Sequence, residues 1–238
     1  MKQTKNFLLM GAIALGACVF SACGGSSNSA EAEAAALPTD GILGELPKAV
    51  AEFEAAEAAA SAKYDELRQT DRDKASEFWT DYLAQGNATK FKKETLPAIE
   101  KTLEGKEIPA EVAEGLPLRL DKNLTLDAKR SAETTGVFTA DANKDTQPGN
   151  YVAVAFAADG QAIAIGKNID FSPRNYPVAE GKPFKVRFFI SPKAEDAAGW
   201  AHLQKIVILD KTTDAYKQAE EQVKATKEAF KNKGKVDK

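Results

Sequence analysis

The sequence predicts an α+β protein, in which an N-terminal helical segment is followed by an antiparallel β-sandwich and a C-terminal helix. Apolar residues recur at three- and four-residue steps before residue 105 and again after residue 212, which is typical of helices. Between Leu116 and Leu209 the period falls to two, which is typical of half-buried strands. We therefore expect a helical region at 45–115, a β-sandwich at 116–209, and a C-terminal helix and tail at 210–238.

The helical region contains three predicted helices. The first has a narrow apolar seam, interrupted by Glu57, that consists of Val50, Phe53, Ala60, Tyr64 and Leu67. The second has one apolar face made of Ala75, Phe78, Trp79, Tyr82 and Leu83. Its aromatic residues are interpreted as core contacts of a small bundle, with a ligand platform as the alternative. The third covers residues 90–104, and Pro97 predicts that it either kinks or restarts there.

After residues 106–116, which are interpreted as a linker with one helical turn, about seven short strands are expected. The segments YVAVAFAA and QAIAIG flank Asp159-Gly160, which predicts a hairpin whose two central residues have positive φ. Strands that follow one another without intervening helices favour an antiparallel sandwich. The shape is Ig-like only in outline, because the immunoglobulin cysteine pair is absent from this sequence.

The predicted C-terminal helix has a second narrow seam, in which Tyr216, Val223 and Phe230 recur at heptad spacing. Because the first helix has a matching seam, we expect the two helices to pack against each other. That packing would bring the two ends of the folded domain together.

The N-terminal segment Met1–Ser29 has a basic start, an apolar run and small residues ahead of a cysteine, which is the pattern of a secretory signal peptide at 1–22. Phe20-Ser21-Ala22-Cys23 resembles the lipobox of bacterial membrane lipoproteins. The resemblance implies cleavage between Ala22 and Cys23 and acylation of the Cys23 thiol. Leu15-Gly16-Ala17-Cys18 is an alternative lipobox, so Cys18 remains a second candidate.

The lipobox resemblance also implies a location. Several acyl chains of the palmitate type would hold the protein on a membrane of the cell envelope. Residues 23–44 are rich in Gly, Ser and Ala and are interpreted as a flexible tether. Gly24 stands where an aspartate is associated with inner-membrane retention, which favours the outer membrane and a periplasmic or surface-facing domain.

Sequence chemistry excludes several function classes. Cys18 and Cys23 are the only cysteines, so lipidation of Cys23 and removal of residues 1–22 would leave no thiol for catalysis or metal binding. His202 is the only histidine and is interpreted as a half-exposed residue before a strand. No catalytic, metal or cofactor motif is predicted. A net charge of −3 gives no basic footprint for nucleic acid.

The remaining candidate site is a loop surface. Trp200, Tyr176 and Arg174 are predicted either to form a stacking surface for sugar rings or peptide, or, for Trp200, to close the edge of the core. The expected function is a non-enzymatic envelope component that binds a protein or surface ligand. A glycan hydrolase with paired carboxylates and a ligand-capturing lipoprotein that serves a transporter remain alternatives.

Overall fold

The computed structural model describes residues 34, 36–127, 130–141, 148–166, 169–170, 179–190 and 194–233. This part of the chain contains five α-helical segments: α1 (Leu46–Thr70), α2 (Arg72–Ala84), the composite segment α3 (87–103), α4 (Ala194–Trp200) and α5 (Asp214–Lys233). Segment α3 consists of an α-helical turn (Asn87–Lys90), a π-helical stretch (Phe91–Thr95) and an α-helix (Leu96–Leu103). Its final helix restarts with Pro97 in the first turn, which confirms one of the two predicted outcomes.

The helix ends follow from local chemistry. At the start of α2 the Asp71 carboxylate accepts hydrogen bonds from the backbone N–H groups of Asp73 and Lys74, at 3.2 and 3.1 Å. The hydrogen bond from the Lys74 backbone lowers the pKa of Asp71 most. Gly86 has φ of 66°, a left-handed conformation that favours glycine, and it separates α2 from α3.

Within the described ranges, ten strands form two sheets. The strands are β1 (Glu107–Ile108), β2 (Ala110–Val112), β3 (Leu118–Leu120), β4 (Leu124–Leu126), β5 (Ser131–Phe138), β6 (Tyr151–Ala157), β7 (Ala162–Ile165), β8 (Ile169–Asp170), β9 (Pro183–Phe189) and β10 (Leu203–Asp210). The first sheet has the order β1-β4-β5-β9-β8, with β3 also paired to β5. The second has the order β2-β10-β6-β7. Helices and mostly antiparallel sheets confirm the α+β class.

Side chains of both sheets belong to the same buried clusters. Leu124 and Phe188 of the first sheet share one cluster with Ala153 and Ile206 of the second. Strand β6 is buried on both faces, because alternate residues such as Val154 belong to another cluster with α5. Strand β6 therefore lies between the first sheet and α5.

Two short strands correct the predicted linker at 106–116. Strand β1 pairs with β4 in the first sheet, and β2 pairs with β10 in the second. The β2–β10 pairing is parallel, although a purely antiparallel arrangement was predicted. Strands of two and three residues are too short to display a period of two, so the sequence pattern did not reveal them.

Packing also begins earlier than residue 45. Leu43 is fully buried in the main cluster, and Leu37 packs with Ala34 and Ala51 in a smaller one. The final residues of the predicted tether at 23–44 are thus part of the folded body. Residues 23–33 lie outside the described part of the chain.

The predicted partner of the C-terminal helix was wrong. Helix α5 contacts β7, α4 and β10, and its seam residues Ala219 and Val223 cluster with Val152, Val154 and Leu209. Helix α5 packs on the outer apolar face of the second sheet and shields it from water. Helix α1 instead packs on α2 and α4.

The β6–β7 hairpin is confirmed, but its turn differs from the prediction. Gly160 has φ of 81°, whereas Asp159 is not among the residues with positive φ. The Gly160 N–H donates to the Ala157 carbonyl, and the Ala157 N–H donates to the Gln161 carbonyl. This is a type I turn followed by a left-handed glycine, the usual three-residue hairpin loop.

Candidate protein-binding surface

Residues 57–84, which comprise the C-terminal part of α1 and all of α2, form a helix pair that we call the distal hairpin. Helix α2 packs chiefly on α1. Only Ala60 and Ala75 are buried in the distal hairpin. Small residues at these positions let the two helices approach closely, but they bury little apolar area.

An aromatic row lies along the distal hairpin. The Tyr64 and Trp79 rings are 5.3 Å apart, and the Trp79 and Tyr82 rings are 5.5 Å apart. Phe78 continues the row at 6.4 Å from Tyr82. All four rings are half-buried, so they contact one another and still present surface to solvent. This agrees with the predicted helix-to-helix contacts and leaves part of each ring free for a ligand.

Leu83 departs from the predicted apolar face. Its side chain is 60% exposed, one of the two large hydrophobic residues that stand out in this way among the described residues. Tyr82 points into the helix pair, and the next position along a helix necessarily faces another direction. Leu83 follows Trp79 by four positions on the same helix, so the two side chains are neighbours and Leu83 adds exposed apolar surface beside the aromatic row.

The charged interruption in the α1 seam has a specific partner. The Tyr82 hydroxyl donates a hydrogen bond of 2.5 Å to the Glu57 carboxylate. This hydrogen bond, with partial burial, raises the pKa of Tyr82 to about 12. Glu57 therefore fixes the register of α2 against α1, a role that sequence reasoning did not assign to it.

The other end of α1 is packed in a different way. Leu46 and Val50 lie in the main core cluster, and Leu96 and Ile99 of α3 pack against it. Phe53 stacks on Phe91 with 4.1 Å between the ring centroids. We call residues 46–56 the proximal half of α1. It contacts α3, α4 and the core. In the distal hairpin α2 packs chiefly on α1, and among the described residues none of 57–84 belongs to a hydrophobic core cluster.

Trp200 is the one residue of the predicted stacking surface that lies within the described part of the chain. Trp200 is 3% exposed, and its indole packs edge-to-face on Phe188 at 5.9 Å. Trp200 is thus part of the core edge and does not belong to an exposed stacking surface. Arg174 and Tyr176 lie outside the described residues, as do Ala22, Cys23 and Cys18.

His202 lies beside a shallow cavity of about 360 Å³ between the β6–β7 hairpin, α4 and α5. The side chain is exposed rather than half-exposed, and β10 begins at the next residue. The Thr226 hydroxyl in the same lining donates to the Gln222 carbonyl and accepts from Gln161 Nε2. The hydrogen bond from Gln161 joins α5 to the hairpin, and the one to Gln222 stays within α5, so Thr226 has a structural role there.

The outer face of the first sheet carries an ion cluster. Glu133 accepts from Lys185 and Arg187 on the neighbouring strand β9. The hydrogen bond from Lys185, followed by that from Arg187, lowers the pKa of Glu133. Arg187 lies 5.7 Å over the ring of Phe189, which is 48% exposed. These cross-strand ion pairs neutralise part of each other's charge and stabilise the sheet surface.

Comparison with known proteins gave no relative. No family model, no curated protein and no solved structure matches this chain. Among the described residues, no cluster of His, Cys, Asp or Glu has the arrangement of a metal site. Over the same residues, no helix is long and apolar enough to cross a membrane.

Proposed function

We propose that the protein is a lipid-anchored lipoprotein of the bacterial cell envelope, without enzymatic activity, that binds another protein or surface ligand through the distal hairpin. The observation that carries the binding role is the row of half-buried aromatic rings on a helix pair with two buried alanines. Tyr and Trp are the residues most enriched at energetically important positions of protein interfaces.

The anchor proposal rests on the N-terminal sequence. Cys23 follows a basic start, an apolar run and the small residues Ser21 and Ala22, as in bacterial lipoproteins. Residues 24–33 would span up to about 35 Å when extended, enough to hold the folded body clear of a bilayer surface. Gly24 after the cysteine favours the outer membrane.

We also propose that the two sheets form an Ig-like sandwich in which the aligned inner faces meet. The shared burial of Phe188 with Ala153 and Ile206 supports this arrangement. A sandwich would give the distal hairpin a rigid base from which it extends toward a partner.

Metabolic labelling with a fatty-acid analogue tests the anchor. The wild-type chain is expected to be labelled, Cys23→Ala is expected to lose the label, and Cys18→Ala is the matched control that keeps it. Label retained in Cys23→Ala and lost in Cys18→Ala would move the anchor to Cys18. Absence of label in wild type would overturn the lipoprotein proposal.

Site-specific photo-crosslinking in intact cells tests the binding surface. A photoreactive residue at position 83 is expected to yield an adduct, because Leu83 is exposed beside the aromatic row. The matched control is the same residue at Gln218, an exposed position on α5. Adducts of equal yield at both positions, or none at position 83, would contradict a specific surface on the hairpin.

A further inference from the structure

We infer that the ligand of the distal hairpin is a basic amphipathic helix of a partner protein, which lies along the aromatic row as a third helix. This inference rests on the proposed function and specifies the chemistry of its partner. It follows from the packing, the shape and the charge of the hairpin.

The packing of α1 is complete at one end only. The proximal half contacts α3, α4 and the core through residues such as Leu46 and Phe53. The distal hairpin is a pair of helices whose buried residues are Ala60 and Ala75. Helices in proteins are stabilised mainly by tertiary packing of an apolar face, so a pair with a narrow seam is open to a third helix.

The aromatic row suits a helix in shape. Tyr64 and Trp79 bring rings from both helices to one place, and Tyr82 and Leu83 extend the apolar surface along α2. Grooves between two helices accept apolar anchors spaced three and four residues apart on a helical ligand. A third helix would cover the exposed parts of these side chains.

The charge of the hairpin selects a basic ligand. Residues 57–84 contain seven carboxylates and four cationic side chains, a net charge of −3. Among the described residues, no ion pair is formed by Asp65, Glu77 or Asp81, and all three are exposed. Complementary charge favours a ligand rich in Lys or Arg. The same charge disfavours a second copy of the hairpin and an anionic lipid surface.

Binding of two synthetic helical peptides to the purified full chain tests the inference. Both peptides carry the same leucine pattern, and their polar positions are all Lys in one and all Glu in the other. Fluorescence anisotropy is expected to show at least about tenfold tighter binding of the Lys peptide, equivalent to about 1.4 kcal/mol. Leu83→Ser is expected to weaken that binding several-fold without unfolding the chain, because the side chain is exposed.

Charge-reversal variants locate the effect. The triple variant Asp65→Lys, Glu77→Lys, Asp81→Lys is expected to reverse the preference between the two peptides. The matched control is Asp214→Lys, Glu221→Lys, Glu228→Lys on α5, which changes the net charge equally and is expected to leave the preference unchanged. Equal effects of the two variants would show that overall charge, and not the hairpin, selects the peptide, and would overturn the inference.

Further outcomes separate this inference from the proposed function. Equal binding of both peptides, or binding of neither, would overturn the basic helix as the ligand. In the cellular experiment, an adduct from position 83 to a segment without Lys or Arg, or to a second copy of this chain, would overturn the inference alone. Absence of any adduct from position 83 would overturn the proposed function itself.

Discussion

The two ends of helix α1 have similar sequences and different surroundings. Both are rich in alanine and glutamate, which favour helix without help from packing. The proximal half buries Leu46, Val50 and Ala51, whereas the distal part buries Ala60 alone. Helix propensity therefore accounts for the continuity of α1, and tertiary packing distinguishes its two ends. We expect the proximal half to support stability and the distal hairpin to support binding.

The largest expected difference is between two leucines. Leu46→Ala should lower the free energy of unfolding by about 2–5 kcal/mol, because Leu46 is 0% exposed and its removal leaves a cavity. Leu83→Ala is the matched control and should change it by less than about 0.5 kcal/mol. Denaturant unfolding measures both values. Similar losses for the two variants would contradict the division of α1 into a packed and an open end.

Overpacking of the helix pair is expected to act locally. Ala75 is 1% exposed on α2, so Ala75→Leu should destabilise the distal hairpin by about 1–3 kcal/mol. Hydrogen exchange should become faster for amides of α2 and stay unchanged for β6. Ala84→Leu, at an exposed position of the same helix, is the control that should leave both unchanged. Faster exchange in β6 would mean that the hairpin and the sheets unfold together.

The Glu57–Tyr82 hydrogen bond predicts an alkaline dependence. The Tyr82 pKa is raised from 10.0 to about 12, so the native state binds this proton more tightly than the unfolded state. The contribution of this hydrogen bond to the free energy of unfolding is fully present below pH 10.0 and is lost as the pH rises toward about 12. Tyr82→Phe should cost about 1 kcal/mol at neutral pH and abolish this part of the pH dependence.

A conservative variant separates charge from hydrogen bonding in that pair. Glu57→Gln keeps a carbonyl acceptor for the Tyr82 hydroxyl, so it should retain most of the neutral-pH stability while the phenol titrates closer to its ordinary pKa. Phenolate absorbance reports the titration. If wild type and Tyr82→Phe lost stability in parallel above pH 10.0, the hydrogen bond would have no role in holding α2.

The smallest effect on stability is expected at Glu133, whose carboxylate accepts hydrogen bonds from two cationic side chains of β9. Lys185 and Arg187 lower the pKa of Glu133 from its ordinary 4.5, so its contribution is present above pH 4.5 and is lost as the pH falls through the lower native pKa. Glu133→Gln should cost less than about 1 kcal/mol at neutral pH, because the pair is near the surface. Thermal melts of both proteins should converge at acid pH. A difference in melting temperature between the two proteins that widened at acid pH would contradict a stabilising role for the ionised Glu133 carboxylate.

Local sequence patterns predicted most helices and strands, because the formation of these elements depends mainly on residues that are close in sequence. The period of two revealed β3 and β4 through their alternating leucines, and the seam around Tyr64 revealed α1. The sequence patterns were less informative about which helices and strands pack against each other. Two heptad seams indicate that each helix has a partner, but they do not identify it, and α5 proved to pack on the second sheet.

The candidate surface was predictable in composition and not in arrangement. Phe78, Trp79 and Tyr82 stood out as an aromatic face. Two of them contact α1, Trp79 through the Tyr64 ring and Tyr82 through the Glu57 carboxylate. The role of Glu57 depends on a hydroxyl 25 positions later, a relation that no local pattern contains. The exposure of Leu83 likewise depends on how α2 is rotated on α1, which the Glu57–Tyr82 hydrogen bond helps to fix.

The second sheet of the nascent chain can be completed only after strand β10 has been synthesised. It is the last strand described, yet it lies between β2 and β6 in the middle of its sheet, and Lys205 reaches Glu111 across 94 positions of sequence. Such high contact order slows folding. Until β10 arrives, β2 and β6 each present an unpaired backbone edge to other chains. A product that terminates before residue 203 is therefore expected to aggregate rather than to fold into a smaller domain.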